Sequence, residues 1–354
     1  MSEPVSLILT VLNEGESIAP LLHSIAAQTR QPDDIVIVDG GSTDETVRII
    51  DRLSSALGLP VRLFVEPGAN ISRGRNRAIA EARHNLIAVT DAGVRLDPEW
   101  LARLVRHFAP PESADFVSGF FLPDPQTTFE YALAAATLPA REEMGRGRFM
   151  PSSRSVAFRR SVWEAVGGYP EWADYSEDVL FDLAVMARGF RIVYEPDAIV
   201  WFRPRPSLRA FARQYRNYAY GDGQGLLWPL RHLIRYGTYG VLAPLLTWVG
   251  MKKNPTLGFG GLALGAATMF YTPYKRLWRM RHALGWKRLA AAAALIPIIR
   301  LTGDAAKMYG YPIGLPEGWH NRHVVRAYRR GEGRAVPRHA APTSTNHPAD
   351  AVDA

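Results

Sequence analysis

The chain has 354 residues, 47% of them hydrophobic and 10% aromatic, a composition that excludes wholesale disorder and leaves room for one large α/β domain and a second unit. A net charge of +8, with pI near 9.7, points to an anionic partner: an anionic substrate, a membrane surface or nucleic acid, to be decided by where the charge lies. Cysteine is absent, which excludes disulfides and thiolate metal sites.

Residues 5–12 form a strand-length apolar run rather than a signal peptide, since no basic region precedes it. The polar turn Asn13-Glu14-Gly15-Glu16-Ser17 then opens an apolar-periodic helix over 18–27. A second strand at 35–38 ends on Asp39-Gly40-Gly41-Ser42-Thr43-Asp44. Ser42 and Glu45 match a capping box, so a helix is expected to start there and run to about residue 57. Asp39 would stand at the lip of the sheet, able to accept hydrogen bonds from a sugar or base, with two glycines letting the backbone come close.

A third strand is expected at 61–65, a helix from the segment around Arg73-Gly74-Arg75-Asn76-Arg77 to residue 83, and a fourth strand at 86–90 ending on Asp91-Ala92-Gly93. Strands alternating with helices four times predict a mostly parallel sheet flanked by helices. The loops holding Asn13, Glu14, Asp39, Arg75 and Asp91 would share one sheet edge. Further on, a helix is expected at 99–108, a strand at 115–121 and an Ala-rich helix near 129–138. The basic stretch 140–155, with Arg141, Arg146, Arg148 and Arg154, reads as an anion-binding loop or a solvated one. Glu177 and Asp178 open a helix over 179–188, where acids suit the helix N-terminus in any case.

From residue 237 the character changes. Residues 237–251 and 256–273 are uncharged runs of 15 and 18 residues, separated by Lys252 and Lys253. A membrane span needs about 20 apolar residues, so the second run qualifies and the first is marginal. A third run, 289–299, contains Pro297 and reads as interfacial, re-entrant or a short span. A hairpin of the first two runs would keep Lys275, Arg276, Arg279, Arg281, Lys287 and Arg288 on the cytoplasmic side. The expected division is therefore an α/β domain over 1–230, membrane-associated helices over 231–310, and a basic, then disordered, tail over 311–354.

Leu9-Thr10-Val11-Leu12-Asn13-Glu14, Val38-Asp39-Gly40-Gly41-Ser42-Thr43-Asp44, Gly74-Arg75-Asn76, Asp91-Ala92-Gly93 and Ser176-Glu177-Asp178 occur in an order that resembles family 2 glycosyltransferases of the GT-A fold, over residues 4–225. The trailing apolar segments resemble multi-pass, membrane-attached bacterial members with a cytoplasmic catalytic domain. The resemblance implies an inverting transfer from a nucleoside-diphosphate sugar to a hydroxyl of a lipid or glycan acceptor. It implies that Thr10, Asn13, Glu14 and Asp39 hold the nucleoside, that Arg75 and Asn76 lie near the nucleotide, and that Asp178 is the base with Glu177 beside it. Asp91 would contact a divalent cation, Mg²⁺ or Mn²⁺, although Gly93 replaces the second acid of the family's metal motif. Gln214, Arg216 and Tyr218 stand where processive synthases carry Gln-x-x-Arg-Trp, with the arginine displaced, which favours addition of a single sugar.

Two other classes compete with this reading. A non-catalytic sugar-nucleotide-binding membrane protein is suggested by Gly93. A dinucleotide-dependent oxidoreductase fails at the first turn, where Asn13-Glu14-Gly15-Glu16-Ser17 stands in place of G-x-G-x-x-G. Nucleic acid is not expected, because the positive charge concentrates beside apolar segments.

Overall fold

The computed structural model describes residues 3–143 and 150–333. Its first half follows the expected alternation: β1 (Val5–Val11), α1 (Ile18–Ala26), β2 (Asp34–Asp39), α2 (Thr46–Ala56), β3 (Val61–Val65), α3 (Ile71–Glu81) and β4 (Leu86–Val89). These strands are Val-, Ile- and Leu-rich because helices cover both faces, and they pair in parallel in the order β3-β2-β1-β4. The register sets Val11 beside Asp39, so the β1 and β2 loops leave the sheet at one edge.

The second half is mixed. It comprises β5 (Val94–Leu96), α4 (Trp100–Val105), β6 (Phe116–Pro123), α5 (Thr128–Thr137), β7 (Val156–Arg159), α6 (Arg160–Val166), α7 (Glu177–Ala187), β8 (Ile192–Phe202) and α8 (Leu208–Gln224). The complete order is β3-β2-β1-β4-β7-β6-β8-β5, with β7 antiparallel to both neighbours and β5 antiparallel to β8. One face packs Leu21, Ile25, Trp100 and Leu104, and the other packs Ile79, Val162, Leu180 and Phe181.

The helix expected to start at Ser42 starts at Thr46 instead, with Glu45 in the cap position and no side-chain cap. The Ser42 hydroxyl is spent on Asp39, so the three residues before the helix belong to the sheet-edge loop.

The C-terminal region holds α9 (Pro229–Gly237), a π-helical turn at Thr238–Leu242, α10 (Ala243–Lys252), α11 (Pro255–Arg279), α12 (Trp286–His320) and α13 (Arg322–Arg329). Among the described residues one helix is long and apolar enough to cross a membrane, and it is α12, with a mean hydropathy of 1.5 in its best window. The spans expected near 237–251 and 256–273 do not meet that test. The first is divided between a π turn and the ten residues of α10, and the second is diluted by glycine and polar residues within α11. The run at 289–299, read as interfacial, re-entrant or a short span, lies inside α12.

α12 is docked lengthwise on the α/β domain. Its first half packs Ala292, Ile296 and Ile299 on Ala132, Leu133 and Ala136 of α5. Its second half packs Gly303, Gly310, Gly314 and Gly318 on the backbone and aromatic rings of α8. The boundary expected at residue 310 therefore falls inside a continuous helix. Residues 311–333 are no tail: Val325 and Tyr328 of α13 are buried, and the Tyr328 hydroxyl donates to the Gly168 carbonyl at 2.5 Å. The rest of the expected tail, 334–354, lies outside the described residues, as do Arg146 and Arg148.

Candidate active site

The C-terminal edge of β1, β2 and β4 carries two adjoining constellations. The first is the stitched pair of loops after β1 and β2. Asp39 is fully buried, and its carboxylate accepts from the Gly41 N–H at 3.0 Å, the Ser42 N–H at 2.9 Å and the Ser42 hydroxyl. Gly41 adopts φ +99°, which a side chain would resist, and this lets the loop fold back onto the carboxylate. Asn13 accepts from the Thr43 N–H at 2.9 Å, its own N–H donates to Ser42 Oγ at 2.8 Å, and the Glu14 N–H donates to Thr46 Oγ1 at 2.7 Å. Thr10 touches α3, where a Cβ on Gly74 would meet its methyl at 2.7 Å.

The second constellation surrounds Arg75, which is only 2% exposed. Its guanidinium donates to Asp91 Oδ1 at 2.6 Å and to Glu177 Oε1 at 2.8 Å, and lies 5.2 Å from the centre of the Tyr169 ring. One forked cation thus joins α3, the turn after β4 and the first turn of α7, a task for which a planar guanidinium is suited. Burial and the adjacent Asp178 push the Glu177 carboxyl up to about 7, against the pull of Arg75. One turn further along α7, Asp182 is buried with one carboxyl oxygen unpartnered, and burial raises its pKa well above the ordinary range. Asp178 accepts from the Val179 N–H at 2.8 Å through Oδ1, and its other oxygen has no partner among the described residues.

A cavity of about 840 Å³ opens on this second constellation, lined by Arg75, Asp91, Glu177 and Asp178 together with Gln214 and Tyr218 of α8. Thr10, Asn13, Glu14 and Asp39 do not line it; they stand at the same sheet edge beside it. The two groups meet at Gly93, where a Cβ would lie 3.8 Å from Glu14 Oε2. Arg154 lies on the wall, with Nε 3.7 Å from Asp91 Oδ2.

Several expected residues are elsewhere. Asn76 is consumed in tying α3 to the segment before α7: it donates to the Tyr169 carbonyl and Glu171, and accepts from Trp163 and the Tyr169 N–H. Arg73 pairs with Glu66 at 2.5 Å and Arg141 with Asp197, so neither faces the cavity. Arg216 is not among the lining residues and donates to Asn217, which is, and the α8 arginine on the wall is Arg213. Sequence reasoning missed Arg205, Arg213, Arg231, His232, Arg235 and Lys307, all of which line the cavity. The last four sit in the segment read as membrane-associated; the signal that could have found them is the i, i+1, i+4 spacing of Arg231, His232 and Arg235, which shares one face of α9.

Among the described residues no group of three or more Asp, Glu or His side chains is arranged to hold a metal ion. Gly93 adopts φ +74°, a turn conformation that an acid would strain. If a cation is held at the expected position, the protein offers it the single carboxylate of Asp91, whose Oδ1 already accepts from Arg75 at 2.6 Å. That fits a cation such as Mg²⁺, which keeps waters and takes most of its oxygens from substrate phosphates, and it does not fit an all-protein metal cage.

A sheet of this order, with a carboxylate at the end of β4 and acids at the start of α7, defines a GT-A type of glycosyltransferase. The solved structure of the mannosyltransferase PcManGT from Pyrobaculum calidifontis, determined with GDP-Man and Mn²⁺, shares the fold: TM-score 0.53 at 18% identity, covering 90% of this chain and 88% of that one. The sequence matches "Glycosyl transferase family 2" over residues 6–164 and "Glycosyl transferase family group 2" over residues 86–303. The chain belongs to the family 2 glycosyltransferases and is an enzyme of that class. Among curated relatives, the O-antigen chain rhamnosyltransferase RfbN of Salmonella typhimurium is 23% identical over 77% of this chain and 96% of its own length. The succinoglycan biosynthesis protein ExoA of Rhizobium meliloti is 28% identical over 79% of this chain and 92% of its own length.

Proposed function

We propose that the enzyme moves one sugar from a nucleoside-diphosphate donor to a hydroxyl of a lipid-linked glycan precursor, inverting the anomeric centre. The observation that carries this reading is the Asp178 carboxylate, with one oxygen unpartnered, in the same cavity as the Arg75-held Asp91. The acceptor oxygen forms its bond to the anomeric carbon as the bond from that carbon to the diphosphate oxygen breaks, and the acceptor proton goes to Asp178. A positioned general base of this kind contributes about 10²–10⁴-fold. Glu177, held by Arg75, fixes the first turn of α7 and with it the position of Asp178.

In this reading the nucleoside rests on the loops of Thr10, Asn13, Glu14 and Asp39, whose geometry is set before any ligand arrives. Arg154 meets the charge that develops on the departing diphosphate. A Mg²⁺ or Mn²⁺ ion bound at Asp91 with the diphosphate would neutralise part of that charge. Gln214 and Tyr218, joined at 2.9 Å, present polar atoms to the acceptor side. The names of the rhamnosyltransferase and succinoglycan relatives support a polysaccharide precursor as acceptor. Exposed Leu233, Val241, Trp248, Leu264 and Trp278 on α9–α11 support attachment to a membrane, with the cavity on the cytoplasmic side where nucleotide sugars are made.

The test is a panel of UDP-, GDP- and dTDP-sugars assayed for donor hydrolysis and transfer to a lipid extract, with and without Mn²⁺. Asp178→Asn is expected to bind the active donor's nucleotide within twofold of wild type while turnover falls at least 100-fold. A variant that keeps turnover overturns the assignment of the base.

A further inference from the structure

The last described helix, α13, lies past residue 303, where the family match ends. It packs on α7, the helix whose first turn holds Glu177 and Asp178: Val325 and Tyr328 are buried in one cluster with Leu180, Phe181, Ala184 and Val185. Just beyond it Gly331, at φ +72°, brings the chain so close to α7 that a Cβ there would lie 3.0 Å from the Ala184 carbonyl oxygen. Successive residues of a helix point about 100° apart. Tyr328 and Arg329 therefore face different ways, and each grips a peptide bond elsewhere in the chain.

The Tyr328 hydroxyl donates to the Gly168 carbonyl at 2.5 Å, and the N–H of that same peptide, belonging to Tyr169, donates to Asn76 Oδ1 at 2.8 Å. Gly167 and Gly168 both stand at φ +81°, a conformation that glycine tolerates without preferring, so the partners set the turn. What the turn places is Tyr169, whose ring stacks on Phe181 at 4.1 Å and lies 5.2 Å from the Arg75 guanidinium. The Arg329 guanidinium donates to the Leu226 carbonyl at 2.9 Å, and the N–H of that peptide, belonging to Leu227, donates to the Asp222 carbonyl at 2.7 Å. Leu226 and Trp228 both stand at φ +49°, which large side chains adopt only where their surroundings impose it. What this connection places is Trp228, which lines the cavity and carries Arg231 over its ring at 4.5 Å.

We propose that α13 is a latch on the active site, with Tyr328 and Arg329 as positioning residues: Tyr328 holds the Gly168–Tyr169 peptide that supports Arg75, and Arg329 holds the α8–α9 connection that carries Trp228 into the cavity. Neither side chain touches a reacting group. Each acts through one peptide, and each peptide keeps a single anchor when its α13 partner is lost. The inference rests on the glycosyltransferase reading for what the site does, and adds that a helix remote in sequence sets two of its walls separately.

The experiment uses the detergent-solubilised full chain, with Tyr328→Phe, which keeps the ring and loses the hydroxyl, Arg329→Met, which keeps the stem and loses the donor, and Arg329→Lys, which keeps a donor. Amide hydrogen exchange is followed by mass spectrometry without ligand, and a lost hydrogen bond is worth about fivefold in local opening. Tyr328→Phe is expected to speed exchange by about that factor over 167–180 and to leave 224–231 within twofold of wild type. Arg329→Met is expected to do the reverse, and Arg329→Lys to recover most of the protection. In the transfer assay Tyr328→Phe should lower kcat about fivefold while nucleotide affinity stays within twofold, and Arg329→Met should raise the KM for the acceptor by a similar factor. Unchanged exchange in both segments overturns the proposal. So does faster exchange in both segments of either variant, which marks a general loss of stability, and so does wild-type turnover in both variants. A wild-type protein that turns over no nucleotide sugar would instead remove the glycosyltransferase reading, and the divided exchange pattern would still uphold the latch.

Discussion

Arg75 Nη2 lies 2.6 Å from Asp91 Oδ1, and this contact joins a helix on one side of the sheet to the turn where the donor's diphosphate is expected. Because the other arm of the same guanidinium holds Glu177, removing it would strand two acids in a cavity wall. Breaking a buried pair by deleting one partner costs about 3–5 kcal/mol. Arg75→Met is expected to lose stability on that scale and to lose turnover. Arg75→Lys keeps the charge but not the fork, so it should regain part of the stability and little of the turnover. Urea unfolding with a donor-hydrolysis assay checks both, and wild-type turnover in Arg75→Lys would show that the fork is dispensable.

The raised Glu177 carboxyl makes stability depend on pH. In the unfolded chain it titrates near its ordinary value of 4.5, and in the folded chain at about 7. Its contribution is therefore fully present below about 4.5 and is lost as the pH rises through about 7. Buried Asp182 acts with the same sign. The free energy of unfolding should fall between pH 5 and 7, and Glu177→Gln, which stays neutral and still accepts from Arg75, should flatten the fall by up to one proton. An unchanged slope in the variant would mean that Glu177 stays ionised throughout.

Asp39 is fully buried and spends its oxygens on the loop that follows it, so in the proposed reading it shapes the nucleoside side of the site without itself reaching the ligand. Asp39→Ala leaves two N–H groups and a hydroxyl without their acceptor, at about 1–3 kcal/mol for each group left buried and unsatisfied. Nucleotide affinity is expected to fall at least tenfold, whereas in Asp178→Asn it should hold. Equal nucleotide affinity in Asp39→Ala and wild type, measured by calorimetry, would remove Asp39 from the binding machinery.

The first four strands and the helices between them could be read in advance because each is announced locally, by a Val/Ile/Leu run ending on a polar turn. The second half hides its strands. β5 is three residues long, and β8 carries Glu195, Pro196 and Asp197 in its middle, residues that ordinarily mark a turn. At the site, Asp91, Glu177 and Asp178 were recoverable from motif order. The role of Arg75 as a bridge was not, since its partners lie 16 and 102 residues away. The resemblance of Gly74-Arg75-Asn76 puts Asn76 near the nucleotide, yet successive helical residues face different directions, and it points into the protein. Arg231, Arg235 and Lys307 were hidden by their apolar surroundings: hydropathy averages over a helix, while α9 divides its cations and its leucines between opposite faces.

The seam between α8 and α12 should couple the apolar region to catalysis. A Cβ on Gly314 would lie 2.0 Å from the Tyr220 carbonyl oxygen, and one on Gly310 would lie 2.1 Å from that of Arg216. Both contacts are to backbone, which cannot rotate aside, so Gly314→Ala must push the two helices apart. Overpacking of this kind costs about 1–3 kcal/mol. α8 carries Gln214 and Tyr218, and α12 carries Lys307, so separation also widens the acceptor end of the cavity while leaving Asp39, Asp91 and Arg75 where they are. Gly314→Ala is accordingly expected to raise the KM for the acceptor more than that for the donor. Faster proteolysis in the 280–286 connection should accompany the change. A variant with wild-type kinetics and proteolytic resistance would show that the close helix approach is not needed for the site.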